Sequence, residues 1–504
     1  MIAPSSPMPA HLARPRTAGV PAHLRPNPLL GMENLALVAG TVLMLLQLRG
    51  FTLGELAALV ALPILALVTF LADRRYLPTM LVLCIPSVGV LTVPKPAAFY
   101  FPEVVNRVVL AGVEFNGPLV VITFAFARVC VELLRGGGLL RGIVPRWLVW
   151  AFLLALVPAF VGGLRGQALG LNQWSVGFRA MLAVGGVFWG VLVARRSQGN
   201  PQRLLRQLTG VITVGAALLL VRFVSDMYVF LLMGMAGGLI PYFIARKRLL
   251  EAAILMGAAV MGAISISLTT FAEVLVAGGC VMLAAVSNPG LRRWMLRTSA
   301  AAGLVASATL IWLVRQLHGK TLLEIATRDD GLITYATLKL LGDRGPLWLA
   351  AIQQISAGPY WIVPSGRPLR PENFNYGYMV YFWEFGAHNT LLELTRNGGL
   401  IVGAIGIGIM VFVIFRAVRV LAETRDGALR GLAAGVVGVA VPGMTTGNFP
   451  MQDIGFFLWA MGGIVIGTHF VMKAAVAEEE EEEEDEPDAA PLRPGPPLVL
   501  AGRM

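Results

Sequence analysis

Residues 388–415 read HNTLLELTRNGGLIVGAIGIGIMVFVIF, a polar stretch that runs directly into an apolar one. The polar part carries an imidazole, an amide and a guanidinium in His388, Asn389 and Arg396. The apolar part, from residue 399 to residue 415, is predicted to re-enter a membrane as a helix. A titratable side chain at such a boundary indicates a chemical role as well as a structural one.

The composition of the whole chain is that of a membrane protein. Of 504 residues, 56% are hydrophobic and 14% are charged, and the mean hydropathy is +0.72. Soluble domains carry about 25% charged residues. A bilayer core about 30 Å thick needs roughly 20 apolar residues per helical span, and such runs recur along most of the chain. The alternating strands of a membrane barrel do not appear. We therefore predict an all-α, polytopic integral membrane protein.

Hydropathy divides the chain into about fourteen transmembrane helices and three other regions. Residues 1–30 form a flexible cytoplasmic arm, and residues 31–315 hold the first eleven spans. Residues 316–398 form one large outer loop region, in which 347–355 is predicted to be helical. Residues 399–473 hold the last three spans, and residues 474–504 form an acidic, proline-rich tail that we expect to be disordered. The spans are 32–48, 54–72, 77–94, 117–134, 147–164, 180–194, 207–223, 228–245, 250–268, 270–287, 298–315, 399–415, 430–446 and 454–472.

The charge distribution sets the orientation of these spans. The net charge of +11 hides an acidic run at 478–488, and residues 1–477 carry 38 basic against 19 acidic residues. Lysine and arginine collect in cytoplasmic loops, and with a cytoplasmic N-terminus the even-numbered spans before the last all end in basic loops. The same count sends residues 316–398 outside. Topology thus accounts for the basic excess, and nucleic-acid binding is not needed to explain it.

His388 is the histidine with the most polar neighbourhood. Histidine needs little adjustment to act as a general base at neutral pH, and Asn389 could fix its tautomer or bind a sugar hydroxyl. On a helix beginning near Ala387, positions 388, 392, 395 and 399 share one face. The alternative is that His388 starts a helix and bonds only to the backbone.

Arginines on the outer side form a second group of candidate residues. Guanidinium groups match phosphate oxygens, so several of them at an outer leaflet indicate an anionic lipid-linked ligand. Contact with lipid head groups is the alternative for most of them, and Arg222, within LVRFV, fits that alternative least well. The set comprises Arg107, Arg165, Arg179, Arg222, Arg315, Arg328, Arg344, Arg367, Arg370 and Arg396.

Aromatic residues crowd the second half of the outer loop region, Tyr378 and Trp383 among them. Such rings stack on sugars, and they also form interfacial belts. The carboxylates outside are scattered, and no pair has the spacing of a glycosidase dyad or a metal site.

Three elements together resemble a known family. They are GDRGPLW at 342–348, GAHNTLL at 386–392 and GGL at 398–400. This combination is similar to the O-antigen ligase and Wzy-type O-antigen polymerase superfamily of bacterial envelope glycan assembly, over residues 320–403. The chain departs from the family where it reads LTTFAE at 268–273 in place of a Ser-Arg pair, and where Asn397 replaces an acidic residue.

The resemblance implies a GT-C-like glycosyltransferase that needs neither a metal ion nor another cofactor. His388 would be the general base or would orient the acceptor, with Asn389 as its neighbour. Arg344 matches the arginine of the upstream element, and Arg179 and Arg222 are the expected diphosphate ligands. The other expected substrate contacts are Arg165, Arg396, Trp348, Tyr378 and Trp383.

The function expected from the resemblance is polysaccharide polymerisation at the periplasmic face of a bacterial inner membrane. An undecaprenyl-diphosphate-linked oligosaccharide is the donor and an acceptor glycan is extended, with inner-membrane lipids, a flippase and a chain-length regulator as partners. An O-antigen ligase acting on lipid A core shares the chemistry. A transporter or flippase and a non-catalytic assembly component are the alternatives from other classes; the former is expected to place ionisable groups within several spans.

Overall fold

The computed structural model describes about half of the chain. The described residues are 107–110, 113–136, 138–168, 181–197, 200–220, 226–265, 268–285, 289–295, 297–298, 301–302, 305, 345–357, 389–446 and 452–485. The arm at 1–30, the first three predicted spans and most of the outer loop region lie outside them.

The described residues are helical apart from one short hairpin. The hairpin precedes the first helix and pairs β1 (Arg107–Leu110) with β2 (Val113–Asn116) in antiparallel register, Arg107 opposite Asn116. It corrects the all-α prediction locally, because β-branched residues in RVVL and VEFN favour extended backbone. The helices are α1 (Gly117–Leu134), α2 (Arg146–Ala168), α3 (Gly186–Arg196), α4 (Pro201–Leu220), α5 (Asp226–Ala245), α6 (Leu249–Ser265), α7 (Leu268–Ala284), α8 (Gly345–Ser356), α9 (Thr390–Glu423), α10 (Gly427–Thr446) and α11 (Gln452–Asp485).

Ten of the predicted apolar segments coincide with helices of the structure, from 117–134 on α1 to 454–472 on α11. The predicted helix at 347–355 is confirmed as α8. Two described helices, Gly398–Glu423 and Gly455–Ala477, are long and apolar enough to cross a membrane, and five shorter apolar helices accompany them.

The last helix is longer than the sequence predicts. The chain was expected to be disordered from residue 474, but α11 continues as helix through Asp485. Glutamate is a good helix former, and each added residue extends an existing helix without a new nucleation step. Residues 486–504 lie outside the described part.

Helix α10 is central to the packing, since it contacts α5, α7, α9 and α11. Glycines let the backbones of α3 and α11 approach closely. A Cβ on Gly190 would meet the backbone oxygen of Ala460, and one on Gly463 would meet that of Val187. Such small-residue contacts are typical of helix pairs in membranes.

The basic loops meet at one end of the bundle, which we call the basic end. Arg195 Nη2 donates to the carbonyl oxygen of Arg141 at 3.0 Å. Gln202 Nε2, on the far side of the same α3–α4 loop, donates to Asp426 Oδ2 at 3.0 Å, which adds the loop between α9 and α10. This clustering agrees with the common side that the sequence assigned to these loops. The start of α9 bonds to the last turn of α10, the end of that helix away from the Asp426 loop.

Candidate functional site

The start of helix α9 is fixed by Asn389. This residue is the N-cap, with extended backbone dihedrals, and its Oδ1 accepts hydrogen bonds from the backbone N–H groups of Leu391 at 3.0 Å and Leu392 at 3.2 Å. Asparagine is among the best N-cap residues because its side chain satisfies these otherwise unpaired donors. The helix therefore begins at Thr390. The predicted start near Ala387 differs from this by three residues, and Ala387 and His388 themselves lie outside the described residues.

Helix α9 has a corner at Gly399. This residue has φ 80° and ψ 172°, a backbone conformation essentially restricted to glycine. We call residues 390–398 the cap helix and residues 400–423 the long helix. The cap helix leans on the long helix, because a Cβ added to Gly403 would lie 2.6 Å from Thr395 Oγ1 and 2.7 Å from its Cα. The predicted re-entry at 398–400 is thus a turn between two packed helices.

The N-terminus of the cap helix is anchored on α10. Thr390 is buried, and its hydroxyl donates to the carbonyl oxygen of Gly443 at 3.1 Å. Gly443 lies in the last turn of α10. The Thr390 side chain therefore ties the start of the cap helix to the end of α10 and fixes the position of Asn389 against the core.

The cap helix also carries a buried ion pair. Arg396 Nη2 lies 2.8 Å from Glu393 Oε2, and both side chains are nearly inaccessible to solvent. A spacing of three residues puts the two side chains on the same helical face. The guanidinium expected to bind substrate is therefore held in place by a neighbouring carboxylate.

Trp348 lies on α8, which packs against α9. Its side chain is buried, and its indole Nε1 has no hydrogen-bond partner among the described residues. Asn389 Nδ2 is likewise buried and without a partner in that part of the chain. Two residues that the family resemblance selects thus each retain a buried N–H donor.

One other predicted site residue lies on a described helix. Arg165 lies on α2, a helix that packs against α9. The remaining predicted site residues lie outside the described ranges; they are His388, Arg179, Arg222, Arg344, Tyr378 and Trp383. The structure therefore brings Asn389 and Arg396 together on one short helix, with Trp348 on the neighbouring α8.

Two residues of the site were not singled out from the sequence. Glu393 is one of the scattered outer carboxylates of the sequence analysis, and its spacing of three residues to Arg396 is a signal for an ion pair on a helix. The hydrogen bond from Thr390 to Gly443 joins residues far apart in sequence, so the local sequence pattern could not predict it.

The arrangement offers a buried helix N-terminus, an oriented guanidinium and two buried donors. A helix N-terminus carries partial positive charge, which favours an anionic group nearby. Among the described residues, no three His, Cys, Asp or Glu side chains lie close enough together to hold one metal ion.

Comparison of the chain with protein families, with curated proteins and with solved structures finds no match.

Proposed function

We propose that the protein is an integral membrane glycosyltransferase that polymerises undecaprenyl-diphosphate-linked glycan at the periplasmic face of a bacterial inner membrane. The reaction in this proposal is the one that the family resemblance of residues 320–403 implies. The two membrane-length helices and the clustering of basic loops at one end support the cellular setting.

The observation that carries the proposal is the pair of buried donors, Asn389 Nδ2 and Trp348 Nε1. Leaving a buried donor unsatisfied costs about 1–3 kcal/mol. A sugar hydroxyl or a phosphate oxygen would accept from such donors and offset that loss. Buried donors on two residues of the predicted site thus support a polar, hydroxyl-rich or phosphorylated ligand at α8 and the cap helix.

In the proposed reaction, the acceptor hydroxyl oxygen forms a bond to the anomeric carbon of the donor while the bond from that carbon to the diphosphate oxygen breaks. His388 takes the proton of the attacking hydroxyl, and undecaprenyl diphosphate leaves with the bonding electrons. Arg344, Arg179 and Arg222 would stabilise the charge that develops on the diphosphate. Asn389, as N-cap, holds the backbone next to His388 in a defined conformation.

The test uses purified protein in lipid nanodiscs with lipid-linked repeat units. Elongated glycan and released undecaprenyl diphosphate are measured together. His388→Ala should slow elongation by about 10²–10⁴-fold, which is the usual contribution of general acid–base catalysis.

The matched control is His469→Ala. This histidine lies on α11 near the basic end of the bundle, where its Nε2 is 3.3 Å from Glu423 Oε2. The control should retain wild-type elongation. Equal activity of the two variants would contradict the role of His388, and absence of elongation by the wild-type protein would contradict the polymerase. Transfer to lipid A core in place of elongation would favour the ligase.

Buried ionisable groups favour a second candidate, a secondary transporter or lipid-linked glycan flippase. Glu273, Glu393 and Arg396 are all buried within helices, as is expected along a transport path. Movement of lipid-linked repeat units between leaflets of proteoliposomes without formation of a new glycosidic bond would support this candidate.

A further inference from the structure

Glu273 is a buried carboxyl far along the chain from the cap helix. It lies in the second turn of α7, is 0% exposed, and neither of its side-chain oxygens has a hydrogen-bond partner among the described residues. Its backbone crosses α10 closely, because a Cβ on Gly438 would lie 2.8 Å from the Glu273 carbonyl oxygen. On the neighbouring α5, a Cβ on Gly237 would lie 2.8 Å from the carbonyl oxygen of Val274. Glu273 therefore sits where three helix backbones converge.

Within the described part of the chain, the helices that pack on α7 bring few charges toward this point. Helix α10 carries one charged residue, Arg430, eight residues or about 12 Å of helix from Gly438. Arg430 Nη2 donates to the carbonyl oxygen of Thr424 at 2.6 Å. The remaining charged residues on α5, α6 and α9 are Asp226 and Glu251 near helix ends, the Glu393–Arg396 pair on the cap helix, and Arg416, Arg419 and Glu423 toward the basic end of the long helix.

An isolated carboxylate is very unfavourable in such surroundings, whereas the neutral acid is tolerated. We propose that Glu273 is a proton-binding site, whose carboxyl holds a proton at neutral pH. Gly438 lies five residues, or about 7.5 Å of helix, from the Gly443 carbonyl that binds Thr390. The proton site thus adjoins the anchored start of the cap helix. This inference does not rest on the proposed glycosyltransferase activity.

Infrared difference spectroscopy tests the protonation state directly. Spectra of the wild-type protein and of Glu273→Gln are compared in nanodiscs at neutral pH. The wild type should show the carbonyl stretch of a protonated carboxylic acid, and the variant should lack that band. If Glu273→Gln loses carboxylate bands and keeps the acid band, Glu273 is ionised in the wild type and the proposal is wrong.

The matched control is Glu251→Gln. The Glu251 side chain is partly exposed to solvent, and Arg248 Nε donates to its Oε1 at 2.8 Å. Its replacement should remove carboxylate bands and leave the acid band unchanged. If the acid band disappears in Glu251→Gln and remains in Glu273→Gln, the protonated group is Glu251 and the proposal is wrong.

A second measurement does not depend on the folding of a variant. Dicyclohexylcarbodiimide is an apolar reagent that modifies protonated carboxyl groups, and peptide mass spectrometry locates the product in the wild-type protein. An ordinary glutamate with a pKa of about 4.3 is only about 0.2% protonated at about pH 7, so labelling of Glu273 at that pH should far exceed that of Glu251. The proposal is wrong if Glu273 is labelled only in mildly acidic buffer and its labelling falls with rising pH in the same way as that of Glu251.

Discussion

The two ends of helix α9 carry the same chemistry in opposite surroundings. On the cap helix, Arg396 and Glu393 are paired at 2.8 Å with side chains 2% and 5% exposed. At the basic end of the long helix, Arg419 and Glu423 are also paired at 2.8 Å, but their side chains are 47% and 24% exposed. The distances are equal, and the two pairs differ most in how far their side chains are exposed to solvent.

That difference predicts different roles for the two ends. An exposed ion pair is screened by water and salt and contributes about 0–1 kcal/mol. A buried pair gains little relative to an apolar pair, but it becomes strongly destabilising when one partner is removed. Burial of charge on the cap helix is thus a feature that stability alone does not explain, which agrees with a functional site there and a solvent-facing surface at the basic end.

The largest effect is expected from Arg396→Met. This change leaves the Glu393 carboxylate buried without its guanidinium partner, and removal of one member of a buried pair costs about 3–5 kcal/mol. The free energy of unfolding should fall by that amount in thermal or denaturant unfolding of the purified protein.

The double variant Glu393→Gln/Arg396→Met is the control for this pair. With both charges removed, most of the lost stability should return, because a buried ion pair is replaced by neutral groups. A double variant as unstable as Arg396→Met alone would show that Arg396 stabilises the fold through contacts other than this pair.

The corner between the two parts of α9 should be the next most sensitive point. Gly399→Ala forces a residue with a Cβ into a backbone conformation that costs about 1–3 kcal/mol. Gly408→Ala is the matched control on the same helix, since a Cβ there meets no atom within 4 Å. Replacing a glycine by alanine inside a helix stabilises it by about 1 kcal/mol, so the two variants should shift the unfolding temperature in opposite directions.

The apolar segments were predictable because each long apolar run permits little besides a helix. The double glycine at 398–399 was read as the point of membrane re-entry, and the structure has a corner there. The sequence did not reveal that Thr390 bonds to Gly443 or that the Glu393–Arg396 pair is buried. Both depend on contacts between helices that are far apart in the chain. The hairpin at 107–116 was missed because short strands give a weak signal beside long apolar runs.

A smaller effect is expected from Asn389→Ala, which removes the cap of the cap helix. Loss of an N-cap costs typically about 1 kcal/mol of stability. Asn389→Asp retains an oxygen acceptor for the Leu391 and Leu392 N–H groups but removes the Nδ2 donor. If Nδ2 binds substrate, the aspartate variant should keep its stability and lose substrate affinity. Equal effects of both substitutions on stability, with unchanged affinity, would limit Asn389 to capping.

The smallest effect is expected at the other end, from Glu423→Gln. This change removes the carboxylate that pairs with Arg419 and lies 3.3 Å from His469 Nε2. Because the side chains of Arg419 and Glu423 are both partly exposed, the free energy of unfolding should fall by only about 0.2–1 kcal/mol. At about 1 M salt the screening length shrinks to about 3 Å, so the difference in stability between variant and wild type should nearly vanish there.

The same salt titration on Arg396→Met should leave its larger stability loss almost unchanged, since a buried charge is screened much less. If the stability loss of Glu423→Gln persists in high salt, the Arg419–Glu423 pair is as shielded from solvent as the pair on the cap helix. The two ends would then differ in the helices packed around them and not in solvent exposure.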